Sequence, residues 1–284
     1  MPHKLADPAT LDKTCQRFWT DWRGSEMVWR EWGSGPPLIL LHGAFGSWTH
    51  WLKNIRALSA QHRVLVPDMP GFGDSDCPAK GNPIEEMTSA LCTGLQTLCS
   101  PTDKVNLVGF SFGTLLAGSL AARLNAESPG ALHRLVLIAP AGLGITVGRF
   151  DDLGRILPGM SEFERRAAHR RNLGITMIAD PAKITEETID LQIRNVARKR
   201  VSGKPFSRAD VLRRACTDLD VERIDVIHGA LDSYKLRSEP AYSRALAELH
   251  PRLRRHEIAR AGHWVQYERS KKFNSLLERC ICDD

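Results

Sequence analysis

Residues 104–124 read KVNLVGFSFGTLLAGSLAARL, and the fold is decided there. The stretch opens with the apolar run 104–109, as expected of a central strand covered on both faces. It closes with TLLAGSLAARL, which has helical character. Between the two stands Gly109-Phe110-Ser111-Phe112-Gly113. A strand-to-helix turn this tight strains the serine backbone. Side chains two residues to either side would collide with strand and helix, so glycine is needed at both places. Ser111 is thereby expected to project at the top of a sheet, at a helix N-terminus whose dipole favours developing negative charge.

Working outward, further apolar runs occupy 37–42 (PLILLH), 63–67 (RVLVP) and 133–139 (HRLVLIA), and strand character returns at 223–228 (RIDVIH) and 254–259 (RRHEIA). Residues 15–21 and 25–32 read as two strands around an Arg23-Gly24 turn. Helical character lies at 48–59, 84–99 and 112–125, and a final helix begins near Glu268 with Phe273, Leu276, Leu277 and Cys280 on one face. Strand alternating with helix predicts an α/β fold, a mostly parallel doubly wound sheet. The pattern breaks once. Residues 145–215 hold no convincing strand and read as short amphipathic helices. The expected organisation is therefore a core of 1–144 and 216–284 interrupted by a helical insertion, 145–215.

The bulk properties exclude several classes. An apolar fraction of 42% and a charged fraction of 25% are those of an ordinary soluble globular protein. Seven cysteines, an odd number without a C-x-x-C pair, predict reduced thiols rather than a disulfide framework or zinc site. The first residues, MPHKLADPATLDKTCQRF, lack the apolar run of a signal peptide, and no stretch of about 18 apolar residues is present. A cytoplasmic protein with no membrane partner is expected. Asp68-Met69-Pro70-Gly71-Phe72-Gly73-Asp74-Ser75 contains glycines but no phosphate-loop spacing, and no H-E-x-x-H occurs. Neither cofactor nor metal is expected; side chains and backbone must do the chemistry.

A nucleophilic serine needs a base, and the base needs an orienting acid. His263 lies in Arg260-Ala261-Gly262-His263-Trp264, past the last predicted strand, and Asp232 in His228-Gly229-Ala230-Leu231-Asp232, past the one before. Strand ends on this edge are where an open parallel sheet builds its site. Asp225 falls inside a predicted strand and Asp220 ahead of it, which leaves Asp232 as the expected acid. His42-Gly43-Ala44-Phe45-Gly46 follows the 37–41 strand. The N–H of Ala44, with Phe45 as alternative, and that of Phe112 are expected to form an oxyanion hole. His42 reads as a brace for that loop and His228 as structural. His3, His50, His62, His133, His169, His250 and His256 have no motif around them and read as surface or packing residues.

These motifs resemble the α/β-hydrolase superfamily over essentially the whole chain: LLHGAFG, DMPGFGDSD, VGFSFGT, HGALD and AGHWVQYE stand in the superfamily's order. Within it, IAPAGLG (138–144), ITEETID (184–190) and GHWVQYERSKKFN (262–274) resemble the meta-cleavage product hydrolases. That group cleaves a carbon–carbon bond in 2-hydroxy-6-oxo dienoates. The resemblance implies that Trp264 lines the site. Apart from it, Phe45, Trp48, Trp51, Phe72, Phe110 and Phe112 gather with Trp264 near the predicted mouth and are expected to leave enough aromatic surface to line an apolar pocket, with Phe45 and Phe110 as candidate substrate-binding residues. The resemblance also implies a dienoate-holding arginine in the insertion; counted without gaps that position is Gln192, while Arg194 stands two residues on. The group has asparagine before its nucleophile, where this chain has Phe110. Three readings follow: a serine hydrolase of small carboxylic esters or thioesters, a carbon–carbon hydrolase, or a slow-turnover ligand receptor.

The insertion holds 15 Lys and Arg against 9 Asp and Glu, which accounts for the whole formal charge of +6. Arg165-Arg166, Arg170-Arg171 and Arg198-Lys199-Arg200 stand out. A solvated helix face competes with attraction of an anionic substrate or a carrier-bound acyl group. Nucleic acid is not expected, since no DNA-binding motif or aromatic interleaving accompanies the charge. The sequence does not indicate an oligomeric state.

Overall fold

The computed structural model describes residues 7–77, 83–201 and 209–282. Eight strands form one sheet: β1 (Gln16–Trp22), β2 (Ser25–Trp32), β3 (Pro37–Leu41), β4 (Arg63–Pro67), β5 (Val105–Phe110), β6 (Leu132–Ile138), β7 (Ile224–Gly229) and β8 (Leu253–Ile258). Their order is β1-β2-β4-β3-β5-β6-β7-β8. The β1–β2 and β2–β4 pairs are antiparallel and all the others parallel. The α/β reading therefore holds, with every strand within one or two residues of its expected limits.

Helices α1 (Pro8–Asp12), α2 (Ile55–Leu58), α3 (Pro83–Leu98), α4 (Phe112–Glu127), α5 (Glu162–Thr176), α6 (Glu186–Ala197) and α7 (Val211–Cys216) precede β7. Helices α8 (Ser233–Leu236), α9 (Ala241–Ala247), α10 (Val265–Glu268) and α11 (Ser270–Cys282) follow it. Side chains alternate along the central strands and feed two cores. Ile39, Leu41, Leu107, Leu135 and Leu137 meet α3 and α4 on one face. Leu38, Leu40, Val108, Val136 and Ile138 meet Trp51, Phe273 and Leu277 on the other. Each wholly buried Leu, Ile or Val contributes roughly 1.5–3 kcal/mol, so this double coverage holds the sheet edge rigid under the site.

One expectation is corrected. The single helix expected over 48–59 is a 3-10 turn, Trp48–Trp51, followed by α2. Buried Asn54 stands between them, and its Nδ2 donates to Gln266 O (3.0 Å) and Asn274 Oδ1 (2.7 Å). The final helix, expected to begin near Glu268, is α11 from Ser270, separated from the short α10 by Arg269, whose φ of −125° and ψ of 44° are not helical. The sequence reading did not single out α8 or α9.

The stretch between β6 and β7 contains the regular helices α5 and α6, and α7, which packs its Leu212 and Cys216 into the α4 core. Around α5 and α6 the chain bonds to loops that leave the C-terminal ends of β3, β4, β7 and β8. Ser47 Oγ donates to Asn195 (2.9 Å), Arg200 N–H to Gly71 O (2.8 Å), Ser233 Oγ to Thr176 O (3.3 Å) and Trp264 N–H to Met177 O (2.8 Å). These bonds tie the segment that carries α5 and α6 to the loops at the C-terminal edge of the sheet. Among the described residues, no helix is long and apolar enough to cross a membrane.

Candidate active site

Ser111 caps α4 with φ of 52° and ψ of −114°, a left-handed backbone that costs a non-glycine residue roughly 1–2 kcal/mol. The turn is held from several sides. Ser111 N–H donates to Ile138 O (2.9 Å), while Thr114 N–H (2.9 Å) and Oγ1 (2.6 Å) donate to Ser111 O. A Cβ on Gly109 would lie 2.6 Å from Gly113 O, and one on Gly113 would lie 2.5 Å from His42 O. The two glycines are needed because strand, helix and the β3 loop meet here.

The side chains read as nucleophile, base and acid form one hydrogen-bonded chain. Ser111 Oγ is 2.9 Å from His263 Nε2, and His263 Nδ1 is 2.9 Å from Asp232 Oδ2. The other Asp232 oxygen accepts from the N–H groups of Tyr234 (2.9 Å) and Lys235 (3.5 Å). Asp232 and His263 are 1% and 5% exposed. Burial acts to push the Asp232 carboxyl up, but the His263 ring and the Tyr234 and Lys235 N–H groups outweigh it and hold it below the usual carboxylate value. An ionised Asp232 holds the Nδ1–H tautomer and leaves the Nε2 lone pair facing the serine hydroxyl.

The loop after β3 is fixed by two imidazoles. Met69 N–H donates to His42 Nε2 (3.1 Å), so the His42 proton sits on Nδ1 and is donated to Gly43 O (2.9 Å). A trans peptide points its C=O and N–H in opposite directions. Anchoring Gly43 O on His42 therefore aims the N–H of Ala44 the other way. Gly43 N–H is itself accepted by His50 Nδ1 (3.2 Å). Phe112 N–H belongs to the first turn of α4, where no helical carbonyl can take it. Phe45 has φ of 58°.

The residues expected to bind substrate divide into three groups. Phe110 and Trp264 are wholly buried, with the Phe110 ring 5.2 Å from that of His263. Phe45 is 39% exposed, and Lys199 Nζ lies 4.0 Å from its ring centroid. Arg194 is exposed on α6 and is not brought to the site, whereas the Oε1 of Gln192 is buried. The angular offset between positions 192 and 194 on a helix turns one inward and the other outward.

Several site neighbours escaped sequence reading. Tyr234 covers His263 with ring centroids 4.5 Å apart, opposite no motif but two residues after Asp232. Buried Glu268 accepts from Gly262 N–H (2.8 Å), Ala179 N–H (3.1 Å) and Asp180 N–H (2.8 Å), tying the His263 loop to the insertion. His50, read as a surface or packing residue, is a packing one: it is buried against the loop after β3, and a Cβ on Gly46 would overlap its ring. His228 meets Glu257 (3.2 Å) and His256 meets Asp225 (2.6 Å). His3 lies outside the described residues. Asp68 is a structural brace: it accepts from Trp48 N–H (2.8 Å) and Arg30 (2.9 Å).

Much of the insertion's charge is ion-paired. Arg166 meets Glu186 and Asp190, Arg170 meets Glu186, Arg171 meets Asp152, and Arg198 meets Asp74. Lys204 and Arg208 lie outside the described residues.

A buried imidazole bridging a strained serine and an ionised carboxylate, at the C-terminal edge of a mostly parallel sheet, is hydrolase geometry, and the chain belongs to the α/β-hydrolase family: the model of that family matches residues 38–276. The chain is an enzyme of this class. It is 30% identical to the 2-hydroxymuconate semialdehyde hydrolase of Pseudomonas sp. (strain CF600), over 86% of each chain. It is 28% identical to the dihydrolipoyllysine-residue acetyltransferase component of an acetoin cleaving system from Pseudomonas putida, over 89% of this chain, but spans only 66% of that relative's length. A solved meta-cleavage product hydrolase from Pseudomonas fluorescens IP01 superposes with a TM-score of 0.69 at 26% identity, covering 92% of this chain and 95% of the other.

Proposed function

We propose that this chain is a serine hydrolase that cleaves a small carboxylic ester or thioester through an acyl-enzyme on Ser111. The carrying observation is the unbroken chain from Ser111 Oγ through His263 to Asp232. His263 Nε2 takes the Ser111 proton as Oγ attacks the carbonyl carbon. The oxyanion that forms is held by the N–H groups of Ala44 and Phe112. Collapse expels the alcohol or thiol, which receives the proton from His263. A water deprotonated by the same nitrogen then attacks the acyl-enzyme and releases the acid. Residues 145–215, apart from α7, which packs into the α4 core, act as a helical lid on the core of 1–144 and 216–284, a reading supported by their bonds to the loops around the site. Phe45, Phe110 and Trp264 wall the acyl region; Arg194 is left outside it because its side chain is exposed.

A second reading is carbon–carbon cleavage of a 2-hydroxy-6-oxo dienoate. It is favoured by Trp264 beside His263 and by the activity named for the CF600 relative. The neutral Gln192 and apolar Phe110 favour the ester. The acetyltransferase relative keeps a carrier-bound acyl thioester among the candidates. The deciding measurement is kcat/KM for a short p-nitrophenyl ester, its thioester and a chromophoric dienoate, with Ser111→Ala as control. Ester or thioester preferred by orders of magnitude supports the proposal, and preference for the dienoate replaces it with the second reading. Tight ligand binding with negligible turnover of all three would make the chain a receptor.

A further inference from the structure

Thr188, Gln192 and Asn195 stand at i, i+4 and i+7 on α6 and share one face. At one end of this stripe Thr188 Oγ1 is 2.8 Å from Tyr267 Oη, and the Tyr267 ring stacks on Trp264 at 4.1 Å. At the other end Asn195 Oδ1 accepts from Ser47 Oγ (2.9 Å) and Thr49 Oγ1 (3.0 Å). By helical spacing Gln192 lies between these anchors on the same face, and its Oε1 is buried. His50 follows Thr49 in the chain, its ring centroid is 4.8 Å from Trp264 and 5.5 Å from Phe110, and Trp264 Nε1 donates to its carbonyl (3.1 Å).

Each of these elements ends in an orphan. His50 Nε2, Gln192 Oε1 and Asn195 Nδ2 are buried and have no hydrogen-bond partner. His50 and Asn195 are 1% and 4% exposed. Native interiors leave few polar side-chain atoms unpaired, and three on α6 and the 3-10 turn, which the Asn195 bonds to Ser47 and Thr49 hold together, call for a ligand that completes them. Their chemistry says which. His50 Nδ1 already accepts from Gly43, so Nε2 carries the proton and donates. Burial, reinforced by His42 and His263, holds the His50 imidazole well below its usual value and keeps it neutral. Gln192 offers an acceptor and Asn195 a second donor. The Arg194 side chain is exposed, and Lys53 Nζ sits 3.5 Å from the centroid of the Tyr267 ring, whose other face is taken by Trp264.

We infer that His50, Gln192 and Asn195 form a subsite for an uncharged hydroxyl-bearing arm of the substrate, and that they select hydroxy esters over apolar and carboxylate-bearing ones. One hydroxyl accepts from His50 Nε2–H while donating to Gln192 Oε1. This inference rests on the serine-hydrolase reading above and narrows its substrate class.

The test compares kcat/KM for p-nitrophenyl 3-hydroxybutyrate, p-nitrophenyl butyrate and mono-p-nitrophenyl succinate. On the alcohol side, 2-hydroxyethyl butyrate is compared with propyl butyrate. A hydroxyl is expected to raise kcat/KM at least about tenfold on one side of the scissile bond, the cost of leaving buried polar groups unpaired with the apolar analogue. Gln192→Leu should erase that preference. If Gln192→Leu fails to fold by circular dichroism, the parent's ratios alone decide. No hydroxyl preference on either side, or preference for the succinate, overturns the subsite. Covalent labelling of Ser111 by a fluorophosphonate separates the two failures. Labelling and ester turnover without hydroxyl preference sinks the subsite and leaves the hydrolase. Absence of both labelling and turnover sinks the hydrolase, and the subsite with it.

Discussion

Strands β7 and β8 carry two Asp–His pairs, each separated by 31 residues: Asp225 with His256 inside the sheet, and Asp232 with His263 in the loops beyond it. Both are short and buried on the carboxylate side, yet only one has a ring nitrogen free to meet a serine hydroxyl. Asp225 gives one oxygen to His256 Nε2 (2.6 Å) and the other to Arg223 Nε (2.7 Å). The thiol near this pair, Cys280, lies 3.8 Å from that same Nε2, and burial pushes it up to about 12. One ring nitrogen cannot both hold a carboxylate and take a proton from a thiol. In the second pair the carboxylate takes Nδ1, which frees Nε2 for Ser111. The difference teaches that proximity of acid and imidazole is structural by default. It becomes machinery when the two nitrogens are divided between an orienter and a nucleophile.

The widest separation between the pairs should come from removing each carboxyl. Asp232→Asn is expected to lower kcat by about 10⁴-fold with the fold intact, because the tautomer is no longer enforced. Asp225→Asn is expected to change kcat/KM less than about fivefold but to cost about 3 kcal/mol in urea unfolding, since it strands Arg223. A large rate loss in Asp225→Asn with unchanged stability would collapse the distinction.

The brace on the oxyanion loop comes next. His42→Ala releases Gly43 O and is expected to lower kcat about 100-fold, near the loss of one oxyanion donor, with little change in KM. A KM effect alone would show that Ala44 N–H has no role in the transition state.

A smaller contrast appears on acidification. Burial works against the Asp225 carboxylate, but His256 and Arg223 outweigh it and hold the carboxyl below its ordinary 3.8. A carboxyl lowered in the folded state contributes stability that is complete above the unfolded value and is lost as pH falls through the folded one. Melting temperature should therefore drop below about pH 4 in the parent, and drop less in Asp225→Asn. Parallel curves for the two proteins would remove Asp225 from the acid sensitivity. The smallest effect is expected at Arg194→Ala, less than about twofold in kcat/KM with any substrate. A larger loss confined to a carboxylate-bearing substrate would restore Arg194 to the site.

The sheet was legible because its strands announce themselves locally. PLILLH and KVNLVG are apolar without interruption, which suits a strand buried on both faces, and glycines two residues to either side of Ser111 mark a turn that nothing bulkier could make. Asp232 and His263 could be placed from strand ends and chain order. His50, Tyr234, Glu268, Gln192 and Asn195 could not. Their roles depend on which way a 3-10 turn folds back and on how α6 is rotated against the loops it covers. An offset of two residues on that helix decides between the buried Oε1 of Gln192 and the exposed side chain of Arg194. What the sequence determined was the order of strands and the residues at their ends, since burial pattern and turn sterics act over a few neighbouring positions. Which buried polar atoms are left unpaired was decided by the tertiary structure alone, because it depends on contacts between segments far apart in the chain, such as Ser47 with Asn195, 148 residues away, and His50 with Trp264, 214 residues away.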